Sequence, residues 1–113
     1  MEKINSYHTI VINQLEQYAN DWNIANDKLT SRLIVDNERK SYLLIRFGWR
    51  DEEEYLHNCL FHIDIIDDKV WIQENRTDIL IAEILIEAGI DKEDIVLGIL
   101  PPSLRIEPEY TVD

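Results

Sequence analysis

Four residues within eight positions, His57, Cys59, His62 and Asp64, carry side chains that bind metals or move protons. Imidazole, thiolate and carboxylate are the ligand types of zinc centres. Side chains alternate across a strand, so this spacing puts His57 and Cys59 on one face and His62 and Asp64 on the other. A flat strand does not gather the four into one site, and His62 with Asp64 reads as an orienting pair at a sheet surface or interface. A second candidate, Glu38-Arg39-Lys40, matches the E-x-K end of a metal-dependent nuclease motif, in which carboxylates hold Mg²⁺ and a lysine sits near the attacking water. It falls where a hairpin turn is expected, whereas that chemistry needs a rigid strand and a third carboxylate. The sequence has no G-x-S-x-G and no phosphate loop. The expectation is a protein that is not an enzyme and calls for no cofactor or metal.

With 113 residues, 45% of them apolar, the chain is long enough to bury one two-layer core, and a single domain over residues 1–113 is expected. The N-terminal segment lacks the basic flank and apolar run of a signal peptide, and no apolar stretch is long enough to span a bilayer. Cys59 is the only cysteine, which excludes an intrachain disulfide and suits a reducing cytoplasm. The net charge of −12 is unevenly spread. Residues 1–50 carry seven Lys/Arg against six Asp/Glu, residues 51–113 four against seventeen. Such a surface repels nucleic acid, so direct DNA binding by the chain alone is not expected.

The elements that position these residues emerge from periodicity. Ile4, Tyr7, Val11, Leu15, Tyr18 and Trp22 recur at helical spacing, drawing one apolar stripe on a helix over residues 2–22, with a loop over 23–28. A β-branched stretch over 29–36 and an alternating one over 41–50 read as strands joined by a turn at 37–40. The acidic run at 51–54 makes the next turn, before a third strand over 55–66. Asp67-Asp68 is a tight turn into a fourth strand over 69–74. Gly48 marks a bulge or a close backbone approach, and Trp22, Trp49 and Trp71 read as core or interface residues. Thr77-Asp78 signals the start of a second helix, apolar around most of its circumference, which Gly89 ends. Residues 91–94 read as a short helical turn, 95–97 as a brief strand or extended segment, and Pro101-Pro102 as the end of regular structure before an extended tail from Ser103.

The fold class is therefore α+β: an antiparallel four-stranded meander with N-terminal and C-terminal helices packed on one face. Alternation assigns Leu33, Val35, Leu43, Ile45, Phe47, Trp49, Cys59, Phe61, Ile63, Ile65, Val70 and Ile72 to the covered face. The other face then carries Ile34, Tyr42, Leu44, Leu56, Leu60 and Trp71 among Arg32, Arg46, His62 and Asp64. Apolar, aromatic and Arg side chains mixed in this way are typical of protein–protein contacts. From it come the candidate partner-binding residues Arg32, Tyr42, Leu44, Arg46, His62, Asp64 and Trp71. The half-apolar face and the apolar helix also suggest self-association, with a homodimer as the default.

Several strings in order, Phe47-Gly48-Trp49, His62-Ile63-Asp64-Ile65, Lys69-Val70-Trp71-Ile72-Gln73, Thr77-Asp78 with Ile81-Ala82, and Lys92-Glu93-Asp94-Ile95-Val96-Leu97-Gly98, resemble the XisI-like family of cyanobacterial fdxN element excision controlling factors. The similarity runs from about Tyr42 through Arg105; the N-terminal helix matches in pattern alone. Asp67-Asp68 stands where glycine is common in the family, Asp78 where Glu is usual, and the tail after Arg105 diverges. The resemblance implies a non-enzymatic accessory factor for site-specific excision of a DNA element by a separate recombinase. It would work with a companion, XisH, whose fold is similar to nucleases. Two other functions compete. The carboxylates would mimic nucleic-acid phosphates in an inhibitor or antitoxin of a nuclease-like partner. A metal-dependent enzyme would be built on Glu38, Lys40 and His62.

Overall fold

Helix α1 (Lys3–Ala25) buries Tyr7, Val11, Leu15 and Ala19 at four-residue steps, the spacing that keeps side chains on one helix face. The structure, a computed structural model, describes residues 3–104. The helix runs through part of the expected loop at 23–28 and stops when Lys28 N–H turns to the Asn26 side chain. Strands β1 (Leu29–Asp36), β2 (Ser41–Trp49), β3 (Tyr55–Ile66) and β4 (Lys69–Asn75) form the antiparallel meander expected from alternation. Helix α2 (Ile81–Glu87) then crosses over to β5 (Ile95–Leu97), which adds a fifth strand parallel to β4, so the sheet is mixed, in the order β1-β2-β3-β4-β5.

Local chemistry explains the turns. The Asp36 carboxylate accepts the N–H groups of Glu38 and Arg39, each at 3.0 Å, and Asp51 does the same for Glu53 and Glu54 at 2.8 and 2.9 Å. These are Asx turns, in which a short carboxylate replaces the missing strand partner. Asp67 and Asp68 both take positive φ, 51° and 66°, as a two-residue hairpin requires. Thr77 does not cap a helix. Its hydroxyl accepts from Ile79 N–H at 3.0 Å and donates to Asn75 at 2.7 Å, building a turn that delays α2 to Ile81. Gly89, at φ 124°, ends the helix as expected. The expected extended tail from Ser103 instead begins within a 3₁₀ turn (Pro102–Leu104), and its remainder, 105–113, lies outside the described residues.

Both helices pack on one sheet face. Their buried residues, including Ile81 and Leu85, join Tyr42, Leu44, Phe61, Ile63, Val70 and Ile72 in a single core cluster. Tyr18 and Trp22 lean over Phe61, with ring centroids 6.0 and 6.4 Å away. Two hydroxyls cross this core. Tyr7 donates to Asp94 at 2.5 Å, joining the start of α1 to the residue before β5, and Tyr42 meets His8 Nδ1 at 2.6 Å. Burial foremost, then the Asp94 bond, pushes the Tyr7 pKa up to about 12. Burial, then the Asp64 charge, pushes Tyr42 up to about 12 as well.

Both tyrosines are raised above their ordinary 10.0, so the folded chain holds protons that the unfolded chain releases. Their stabilising contribution is complete below pH 10 and is lost as pH rises through 12. Urea titrations should show stability falling across that window by up to ~1.4 kcal/mol per pH unit for each tyrosine, with Tyr7→Phe and Tyr42→Phe each flattening the slope. Gly48 adopts φ 136°, and a Cβ there would sit 2.9 Å from the Lys28 carbonyl oxygen. Gly48→Ala is expected to cost about 1–3 kcal/mol of unfolding free energy in the same assay.

Candidate functional site

The phase of β2 decides which residues face solvent. Val35 pairs with Tyr42 and Leu33 with Leu44 across β1–β2, and Tyr42 and Leu44 then meet Ile63 and Phe61 across β2–β3. Tyr42 and Leu44 are fully buried beneath the helices, so they cannot line an exposed surface, and the same parity sends Arg46 to the helix side. This reverses the expectation for the three β2 members of the partner-binding set. Leu43, Ile45, Phe47 and Trp49, expected in the core, lie on the open face instead. Both parities of β2 are apolar, so alternation marks a strand without saying which side is in; Val35 and Leu33, already under α1, decide it.

Arg46 has a buried Nε, and its cross-strand neighbour Ser31 a buried Oγ, neither with a hydrogen-bond partner among the described residues. The backbone of Ser31 is satisfied from outside the sheet. Its N–H donates to Asn23 Oδ1 at 2.7 Å, and its carbonyl accepts from Asn23 Nδ2 at 2.9 Å. A side-chain amide from the end of α1 thereby stands in for a neighbouring strand at the β1 edge, a position open edges commonly need covered.

The other four candidates, Arg32, His62, Asp64 and Trp71, do share the open face. The Arg32 guanidinium lies 5.1 Å from the centre of the Phe47 ring. His62 Nε2 meets Asp64 Oδ1 at 3.0 Å, and Gln73 Nε2 donates to Asp64 Oδ2 at 3.3 Å. Trp71 stands opposite Asp64 on β4. At one end of the face, Trp49 and Tyr55 pack edge to face at 5.3 Å and remain 57% and 51% exposed.

A bulge in β3 corrects a further expectation. Leu44 pairs with Phe61 and Ile45 with Cys59, leaving Leu60 as the extra residue. The inserted residue returns Cys59 to the side that carries His62, so His57, Cys59, His62 and Asp64 all lie along the open face rather than on opposite faces. They are strung out along the strand: among the described residues no three His, Cys, Asp or Glu side chains gather at metal-binding distance. Nothing in the spacing of this segment betrays the insertion. Glu38, Arg39 and Lys40 occupy the β1–β2 turn, where Arg39 pairs with Asp36 at 3.1 Å. An apolar cleft of about 210 Å³ between α2 and the β4–β5 edge is lined by Ile72, Ile79, Leu80 and Ile99. It is smaller than the roughly 300 Å³ at which small-molecule sites begin. Among the described residues no helix is long and apolar enough to cross a membrane.

The Cys59 thiol donates to the Phe61 carbonyl at 3.2 Å, and burial, then the Glu74 charge, push its pKa up against the pull of Arg76. Thiolate is the reactive form, so Cys59 in the folded chain should be alkylated at pH 8 more slowly than in urea-unfolded chain, after correction for the effect of urea on a model thiol. Equal corrected rates would contradict this environment.

The comparisons with known proteins agree with one another. The family model described as XisI protein matches residues 1–112. A crystal structure of a XisI-like protein from Anabaena variabilis superposes with a TM-score of 0.88 at 35% identity, covering 97% of this chain and 99% of that one. The fdxN element excision controlling factor XisI from the same organism superposes with a TM-score of 0.80 at 29% identity, covering 99% and 100%. No curated protein matches the chain.

Proposed function

The chain belongs to the XisI family, and from that premise we propose that it is an accessory factor in excision of a DNA element, acting through an XisH-like protein partner rather than through chemistry of its own. The observation that carries this reading is the fold shared over the whole length with an fdxN element excision controlling factor. Charge supports the indirect route. At −12 the chain repels DNA, and much of its acid is displayed at turns: residues 51–54, Asp67 and Asp68 are all exposed. Those turns offer a basic partner a field that speeds and orients docking. The same acidity favours one alternative, an inhibitor whose carboxylates occupy the phosphate sites of a nuclease-fold partner.

Co-expression with an XisH-like protein, followed by size-exclusion chromatography with light scattering, should yield a mixed complex that weakens as salt rises from 0.05 to 0.5 M, roughly as the Debye length shrinks. Reversing Glu52, Glu53 and Glu54 to Lys should weaken the complex about tenfold or more. Separate elution of the two proteins at low salt would refute the partner reading. A partner whose DNA cutting stops on addition of one equivalent of the chain would select the inhibitor.

A further inference from the structure

The two helices cover one side of the sheet and leave β1 to β4 open on the other. On β5 the open side ends, because Val96, in register with Trp71, is fully buried. The centre of the open side is apolar, with Leu43 and Ile45 half-buried on β2. Its two margins carry charge in opposite order. Along β1 the outward positions read Arg32, Ile34, Asp36; along β4, in the same direction across the sheet, they read Glu74, Trp71, Lys69. Ile34 is 43% exposed, and the Arg32 guanidinium is already steadied over Phe47.

We propose that this face pairs with the same face of a second copy about a two-fold axis lying along the strands, so that β1 of each chain covers β4 of the other. That operation keeps the direction of the strands and reverses their order. Cation then meets carboxylate at both ends of each margin, Arg32 against the second copy's Glu74 and Asp36 against its Lys69, with Ile34 against Trp71 between them. Each set occurs twice. Within one chain Glu74 is level with Ile34, two residues beyond Arg32, and Lys69 lies two residues beyond Asp36. Sheets packed face to face cross at about 30°, which shifts rows by several ångströms at the margins, and the long Arg, Lys and Glu side chains span the remainder. A foreign partner would need no such match between two margins of a single face. The pairing concerns the chain alone and stands whether or not the excision role does.

Sedimentation equilibrium of the full chain without any partner, from 1 to 200 μM, tests the proposal. The expected result is a dimer whose affinity falls at least roughly tenfold with Arg32→Glu and with Glu74→Arg, and recovers when both reversals are combined in one chain. Leu43→Lys should abolish the dimer while the circular dichroism spectrum stays unchanged. A wild-type monomer throughout that range would overturn the proposal. So would a dimer indifferent to the single reversals, or single losses that the double reversal does not repair.

Discussion

The burial of Tyr42 under α1 organises everything else in the sheet. Its hydroxyl meets His8 Nδ1, and its ring meets the imidazole edge-on with centroids 5.4 Å apart. With Tyr42 pointing toward the helices, Leu44 must do the same, and Leu43 and Ile45 must point away. The same face holds Val35 and Leu33 on β1, Ile63 and Phe61 on β3, and Val70 and Ile72 on β4. The opposite phase would strand a tyrosine and a leucine in water and bury Arg32 beneath the helix. Two irregularities along the longest strand accompany this phase: the extra residue at Leu60 in β3, opposite β2, and the extra residue at Gln73 in β4, opposite β3.

Much of the architecture is legible in the sequence because it is written in local chemistry. The four-residue stripe of α1 and the β-branched run of β1 declare themselves, as do the Asp67-Asp68 hairpin and the Gly89 stop. The hidden parts depend on partners distant in the chain. The phase of β2 is invisible within β2, since Leu43, Ile45 and Phe47 are as apolar as Tyr42 and Leu44. The Leu60 bulge leaves no mark in composition, and without it the division of His57, Cys59, His62 and Asp64 into two opposed pairs is sound geometry applied to a straight strand. Thr77-Asp78 looks like a helix start until the Asn75 side chain is seen to hold Thr77 and Ile79 in a turn of their own. Of the seven candidate contact residues, the four that lie on the open face come from β1, β3 and β4, and the three that do not all come from β2, whose phase alternation leaves open.

The fold separates its chemistry into two kinds of surface. The open sheet side is apolar at its centre, with aromatic rings at one end and the His62, Asp64 and Gln73 cluster near the other. The acidic turns at 51–54 and at Asp67-Asp68 lie at strand ends, away from the sheet centre. One surface can thus be covered while the other stays available to a charged macromolecule. Asn23 serves the same separation at the sheet margin, occupying with its amide part of the β1 edge that would otherwise recruit any exposed strand.

The bond from Tyr7 to Asp94 closes a loop of 87 residues. During synthesis, then, the first turns of α1 wait for β1 to β4 and α2 to be made before the Tyr7 hydroxyl finds its carboxylate. Helices form in microseconds, but contacts this far apart in sequence come late and carry the full entropy of closing the loop. Until Asp94 has left the ribosome, the Tyr7 end of the α1 stripe lacks the carboxylate that its hydroxyl meets. The newborn protein therefore closes the contact between its first helix and Asp94 only after the antiparallel strands are made, and the loss of that carboxylate would be felt at the far end of the chain.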